Sequence, residues 1–222
     1  MAFNALVEKR VTAGSLCRYS RDAELSERAA RHVQGLWGEN SLVVADLRVT
    51  EAIALRGMAR TSTSSSEKEA LLRRAWAIHV PVHALLLRRL ADNTLLPGTN
   101  TEAEVTYCAR SLAFTFKAND EPVPSEVVLQ RLGLALGYET LLNAVYQTLN
   151  LLIELPGSAL SRDRAHSFVL TALDAIPRTA TMRIKLPSEA ALVWMMEDMK
   201  PQNFEPSFCA AVNRKMALKC CG

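Results

Sequence analysis

Two histidines, His79 and His83, have the spacing in this sequence that comes closest to that of a metal site. Histidines four residues apart on a helix share a face and can bind one metal ion together. Pro81 lies between them, and proline lacks a backbone N–H and crowds the carbonyl four residues earlier, so we expect the helix to break, kink or restart there. His79 would then leave the face that carries His83. Since the sequence places no third ligand, we predict no metal site and no cofactor.

Three well-known motifs that supply a nucleophile, bind phosphate or bind a catalytic metal are absent from the sequence. It contains no Gly-x-Ser-x-Gly, no glycine-rich loop followed by lysine and no His-Glu-x-x-His. These are the patterns that set a reactive side chain beside the groups that activate it. We therefore predict a protein that is not an enzyme and has no catalytic residues. An enzyme whose site is assembled from distant residues is kept as a third hypothesis, and it would need a deep pocket that gathers titratable groups with shifted pKa values.

Charge is distributed unevenly along the chain, which has 222 residues and a net charge of +3. Residues 56–90 contain seven basic and two acidic residues, whereas residues 91–177 contain five basic and ten acidic residues. Folding could gather the arginines of the basic segment into one phosphate-binding patch, because the planar guanidinium binds phosphate oxygens well. The alternative is that they face solvent or pair with the chain's own acids. The arginines concerned are Arg60, Arg73, Arg74, Arg88 and Arg89.

A long helical pattern lies between Pro124 and Pro156. Its polar residues recur every three or four positions inside an apolar run, so they form one narrow stripe along an otherwise apolar helix. We predict one buried helix over 125–155, with shorter helices around it. Gly133 and Gly137 within it have the spacing that permits close approach of another helix. The stripe makes a membrane span too costly, and it consists of Glu139, Asn143, Gln147, Asn150 and Glu154.

Two helical faces are candidates for contact with other proteins. The amides of Asn143, Gln147 and Asn150 form the first, because uncharged amides can be buried across an interface when they are paired. The alternative for this stripe is the solvent-facing edge of a core helix. The second face is soft and apolar, and it consists of Met195, Met196 and Met199.

Helix signals cover the rest of the chain. Ser66 with Glu69, and Thr101 with Glu104, have the spacing of capping boxes, which predicts helix starts near 67 and 102. Apolar and polar residues do not alternate at period two, as they would in strands, so we predict an all-α protein. We expect an irregular helical bundle or short solenoid of about eight helices around the long central helix. We predict a single domain over 1–222, with 1–62 as a looser part and 63–222 as the core. Other predicted helices cover 22–36, 41–60, 82–91, 161–175, 188–199 and 207–219.

The five cysteines form an odd set without Cys-x-x-Cys spacing. Together with the lack of an Asn-x-Ser/Thr site, they indicate a reducing, intracellular setting, and we predict a cytoplasmic protein. The first twenty residues are low in acids and are also compatible with mitochondrial import. Cys220 and Cys221 follow three basic residues, which is compatible with lipidation, although two unmodified thiols are the simpler interpretation.

These observations favour a non-catalytic protein that binds other proteins, or a structural subunit of a larger assembly that can associate with itself. The alternative is a nucleic-acid-coating protein, such as a viral-type nucleoprotein or coat protein, that binds the phosphate backbone through the arginines. Only 6% of the residues are aromatic, so stacking on bases and sequence-specific binding are not predicted. No small-molecule substrate is indicated.

Overall fold

A computed structural model describes residues 3–95, 101–118, 120–134, 136–155, 162–175 and 204–220. Within these ranges the ordered elements are helices and no strand occurs, which confirms the all-α prediction. None of the helices in these ranges combines the length and apolar character needed to cross a lipid bilayer. The helices are α1 (Phe3–Ser15), α2 (Tyr19–Trp37), α3 (Leu42–Thr61), α4 (Ser65–Ala91), α5 (Glu102–Ala118), α6 (Glu126–Leu134), α7 (Leu136–Glu154), α8 (Arg162–Ala175) and α9 (Pro206–Cys220).

The chain divides into two compact units, residues 1–140 and residues 141–222. In the first unit, α3 packs against α2, α4 and α5, while α1 packs against α2 and α5, and α6 packs on α5. In the second unit, α8 packs against α9, where the rings of His166 and Phe208 stack with their centroids 3.9 Å apart. A single domain over 1–222, with a looser part over 1–62, stays a prediction.

The core of the first unit is built around α3. Its start is capped by Ser41, whose hydroxyl accepts a hydrogen bond from the Val43 N–H at 3.2 Å. Leu42, Leu47 and Leu55 are completely enclosed. Most residues of α3 are buried, so the helix needs neighbours on several sides, and α2, α4 and α5 supply them. The helix predicted for 41–60 is therefore confirmed.

Of the two predicted capping boxes, one is confirmed and one is wrong. The Thr101 hydroxyl accepts a hydrogen bond from the Glu104 N–H at 3.2 Å, and the Glu104 carboxylate accepts one from the Thr101 N–H at 3.0 Å. The cap of α4 is Ser64 instead of Ser66, because the Ser64 hydroxyl accepts a hydrogen bond from the Glu67 N–H at 3.4 Å. Ser64 and Glu67 have the same three-residue spacing, and this cap lets α4 begin two residues earlier.

Pro81 neither breaks nor restarts α4, so that part of our prediction is wrong. The helix runs from Ser65 to Ala91 with Pro81 inside it. Proline removes the donor for the carbonyl of Ala77, and both residues are exposed, so water can reach that carbonyl. Leu72 and Leu86, on either side of the proline, are both buried. Packing of α4 against α3 thus stabilises the helix on both sides of the proline.

The long helix predicted over 125–155 is present as α6 and α7, and Ala135 between them lies outside the described residues. The prediction that this whole segment is buried is wrong for the first turn of α6. Val127 and Val128 there are 64% and 43% exposed, because α6 packs on α5 through its opposite face. In α7 the prediction is confirmed, since most of its residues are buried.

Gly133 and Gly137 permit close backbone contact, as the sequence predicted. A Cβ atom on Gly133 would lie 2.7 Å from the carbonyl oxygen of Val105, in α5. A Cβ atom on Gly137 would lie 2.9 Å from the carbonyl oxygen of Leu95. Both distances are shorter than any normal contact, so a side chain at either position would force the backbones apart.

Candidate functional site

His79 and His83 lie side by side inside the first unit, so the expectation that Pro81 separates them is wrong. Their ring centroids are 4.8 Å apart, and the rings are nearly perpendicular. Both residues are buried, and the ring of Trp76 lies 5.7 Å from that of His83. Burial, and secondarily the neighbouring His79, lower the pKa of His83 well below its ordinary value, so His83 is neutral at physiological pH. In the described part of the chain, no three side chains cluster as metal ligands.

The arginines predicted to bind phosphate lie in two groups instead of one patch. Arg73 and Arg74 are near the start of α4, whereas Arg88 and Arg89 are in its last turn. Arg88 lies 15 positions after Arg73, which corresponds to about 22 Å along the helix axis. Arg60 lies in the last turn of α3, which precedes the start of α4 in the chain.

The first group of arginines pairs with the chain's own carboxylates. Arg73 lies 2.6 Å from Glu69, one helical turn earlier. Arg74 lies 3.4 Å from Glu51 and 3.6 Å from Glu27. Glu51 is only 1% exposed, so Arg74 compensates a buried charge on α3. These guanidinium groups therefore already have anionic partners.

In the second group, Arg89 is paired and Arg88 keeps its charge exposed. Arg89 donates two hydrogen bonds to the carbonyl oxygen of Asn40, at 2.8 and 3.1 Å, and it lies 3.5 Å from the Glu104 carboxylate. Arg88 is exposed and donates to the side-chain oxygen of Asn40 at 3.3 Å. This acceptor is neutral, so it does not cancel the charge of Arg88.

A cleft of about 550 Å³ lies between the end of α2, the first half of α3 and the second half of α4. We call it the α3–α4 cleft. Its floor is apolar and consists of the buried residues Val44, Ala45, Val82 and Leu85. Its rim is polar and includes Gln34, Glu39, Asn40, Arg48 and Arg88. The sequence did not indicate this cleft, because its walls come from three helices.

Hydrogen bonds hold the rim of the α3–α4 cleft in place. The Gln34 side-chain amide donates to the Glu39 carboxylate at 2.9 Å, across the turn between α2 and α3. Arg48 donates to the Glu51 carboxylate at 2.8 Å. These contacts, and those of Asn40, reduce the conformational entropy that the rim would lose when it binds a partner.

A second cluster, also not indicated by the sequence, is buried between α1, α2, α3 and α5. Tyr107 donates a hydrogen bond to the Asp46 carboxylate at 3.0 Å, and Arg10 donates one to the Ser111 hydroxyl at 3.1 Å. Asp22 is also buried, and the charge of Arg10 attracts both Asp22 and Asp46. One arginine thus attracts a buried carboxylate, Asp22, and a half-buried one, Asp46.

Burial changes the acid–base properties of this cluster. It raises the pKa of Asp22 to about 6, although the attraction of Arg10 and a hydrogen bond from Ser26 oppose the change. Burial also raises the pKa of Asp46, and the pKa of Tyr107 rises well above its ordinary value through burial and the adjacent Asp46 charge. Such shifts occur at active sites and in structural ion networks alike.

Access from the protein surface distinguishes an active site from a structural ion network. The α3–α4 cleft is not lined by Arg10, Asp22, Asp46 or Tyr107, and neither are the clefts beside Tyr19 and Phe114. Titratable groups with raised pKa values are therefore gathered in this fold, but none of these clefts brings a substrate to them. We interpret the cluster as a polar contact that joins four helices.

The predicted interaction faces are placed only in part. Gln147 and Asn150 are buried, and Asn143 is half-buried. The Asn150 amide donates to the Tyr146 carbonyl of its own helix at 2.9 Å. At Gln147 and Asn150 the stripe is neither a solvent-facing edge nor an exposed interface. The helix predicted over 188–199 lies outside the described residues, and so do its Met195, Met196 and Met199. Cys221 also lies outside them.

In comparisons with known proteins, no family model matched the chain, and no curated protein or solved structure matched it either. The function proposed below therefore depends on the geometry of the first unit.

Proposed function

We propose that this protein is a non-catalytic structural subunit that assembles with copies of itself. The observation that supports the proposal is the α3–α4 cleft, which has a buried apolar floor and a fixed, charged rim. Burial of apolar side chains supplies most of the free energy of protein association, and fixed polar groups give it direction. A cleft with both features suits a short segment of another polypeptide.

The distribution of polar groups favours a polypeptide over a small molecule. Pockets of about 300–1,000 Å³ are typical of small-molecule sites, which also place a few polar groups where they converge on the ligand. Here the floor residues Val44, Ala45, Val82 and Leu85 are all apolar, and the polar groups lie at the rim. Apolar anchors below and polar contacts around them are the arrangement of a protein interface.

The nucleic-acid-coating alternative has less support. It needs several arginines whose charge is available to phosphates. Arg73, Arg74 and Arg89 each lie within ion-pair distance of a carboxylate of the same chain, and the arginines form two groups far apart. An enzyme with a dispersed site remains the third hypothesis, and among the described residues the cluster around Arg10 is what supports it.

Sedimentation velocity of the purified full chain tests the proposal. We expect the mass to rise with protein concentration toward that of a dimer and larger species. The ratio of absorbance at the nucleic-acid and protein maxima should be that of protein alone. A monomer at every concentration up to the millimolar range would contradict the proposed function. Association that occurs only when RNA or DNA is bound would support the alternative.

A further inference from the structure

We propose that the α3–α4 cleft of one copy binds residues 120–128 of a second copy, head to tail. This inference depends on the self-association proposed above and adds the two surfaces that meet. Residues 120–128 connect α5 to the first turn of α6, and we call them segment 120–128.

Segment 120–128 exposes three apolar side chains. Val123 is 50% exposed, Val127 64% and Val128 43%. Three such valines within six residues form an apolar surface, whereas single exposed apolar residues are ordinary. Because Pro122 and Pro124 restrict the backbone on either side of Val123, the segment loses little conformational entropy on binding.

The charge of the segment is opposite to that of Arg88 on the cleft rim. Asp120, Glu121 and Glu126 are all exposed. On the rim, Arg48 already pairs with Glu51, whereas Arg88 is exposed and donates to a neutral acceptor. Binding would therefore place the valines of the segment on the apolar floor of the cleft and its acidic side chains beside Arg88. Such complementarity increases the association rate and fixes the orientation of the partner.

Within one copy the segment and the cleft lie toward opposite ends of the first unit. The Glu104 carboxylate accepts a hydrogen bond from the Leu42 N–H at 3.0 Å, and Tyr107 contacts Asp46, so α5 runs beside α3 in the same direction. The cleft uses the first half of α3, whereas segment 120–128 follows the far end of α5. The 17 residues of α5 span about 25 Å.

A contact between two different surfaces is heterologous, so every added copy still offers one cleft and one segment. Such contacts produce rings or open chains instead of closed pairs. One cleft and one short segment make a small interface, and interfaces below about 1,200 Å² are commonly weak and transient. We therefore expect association to depend strongly on concentration.

Mixing two variants tests the proposal. The cleft variant carries Ala84→Glu and Arg88→Glu, and the segment variant carries Val127→Asp and Val128→Asp, so the two altered surfaces are both acidic and repel each other. All four positions are exposed, so folding should be retained, and thermal unfolding followed by circular dichroism verifies this. Ile153→Asp, at an exposed apolar residue of the second unit, is the matched control and should associate like the natural protein.

Each variant alone should remain a monomer at concentrations where the natural protein associates. An equimolar mixture should form a dimer and nothing larger, because one variant supplies an intact segment and the other an intact cleft. A mixture that stays monomeric, or variants that associate like the natural protein, would overturn this inference while the natural protein's own association still supports the proposed function. A natural protein that does not associate would overturn both.

Discussion

The carboxylate of Glu104 accepts a hydrogen bond from the backbone N–H of Leu42, 62 residues earlier in the chain, at 3.0 Å. Its other oxygen accepts one from the N–H of Thr101. One buried carboxylate therefore caps the start of α3 and the start of α5, where its charge is favourable to both helix dipoles. Arg89 lies 3.5 Å away and also holds the carbonyl of Asn40, so the same contact supports a wall of the α3–α4 cleft.

Glu104→Gln should destabilise the first unit by about 2 kcal/mol, because a neutral amide has one acceptor oxygen for the N–H groups of Leu42 and Thr101 and leaves one of them without its partner. Urea unfolding of the full chain, followed by circular dichroism, measures this loss. Glu102→Gln is the matched control, because Glu102 lies in the same helical turn but is exposed. The loss of stability in Glu102→Gln should stay below about 1 kcal/mol. Equal stability of the two variants would show that Glu104 does not link the helices.

The stability of the protein should depend on pH through Asp22. Its pKa is raised from 3.8 to about 6, so between these values the folded state holds a proton that the unfolded state has lost. The free energy of unfolding should therefore fall as the pH rises through this window and level off above it. Asp22→Asn mimics the protonated form and should remove this slope, with a gain of up to roughly 3 kcal/mol at neutral pH.

Urea unfolding at a series of pH values compares Asp22→Asn with the natural protein, and the difference between the two curves isolates Asp22 from Asp46, whose pKa is also raised. Asp92→Asn, at an exposed residue that follows α4, should leave the curve unchanged. Parallel curves for Asp22→Asn and the natural protein would disprove the raised pKa of Asp22.

Two glycine-to-alanine substitutions should change stability in opposite directions. In Gly133→Ala the new Cβ would lie 2.7 Å from a backbone oxygen of α5, so we expect a loss of about 1–3 kcal/mol. Gly35, within α2, has no neighbouring atom within 4 Å of a Cβ, and Gly35→Ala should gain up to about 1 kcal/mol from helix propensity. Thermal unfolding of both variants provides the comparison, and a stable Gly133→Ala would mean that α5 and α6 are not in close contact.

Local signals in the sequence predicted much of the fold. The reciprocal hydrogen bonds of Thr101 and Glu104 follow from their spacing alone, and the absence of alternation at period two excluded strands. The errors have physical causes as well. Ser64 and Ser66 both precede suitable glutamates, and only the structure shows which one caps α4. Packing against α3 overrides the tendency of Pro81 to break a helix.

The candidate site could not be predicted, because its residues are distant in sequence. The cleft combines Gln34, Val44 and Leu85 from three helices, and no short motif records that they meet. The polar stripe was visible as a pattern, but periodicity does not reveal whether Gln147 faces solvent, a partner or the protein's own interior. The pairing of Arg74 with Glu51 likewise depends on the fold.

Nucleic-acid binding should be weak and insensitive to the arginines predicted to bind phosphate. Simultaneous replacement of Arg73, Arg74, Arg88 and Arg89 by alanine should leave the fluorescence anisotropy of a labelled single-stranded RNA unchanged at low salt, because three of the four already pair with carboxylates. Steep, salt-dependent binding by the natural protein that the fourfold variant loses would instead support the coat-protein hypothesis.

Cross-linking between copies tests the central claim most directly. Copies with Val127→Cys are mixed with copies with Ala84→Cys, in a background in which Cys17, Cys220 and Cys221 are replaced by serine, and a short bis-maleimide is added. We expect a covalent dimer of one copy of each kind. No dimer, or no more dimer than when Asp163→Cys replaces Val127→Cys, would contradict binding of segment 120–128 in the α3–α4 cleft.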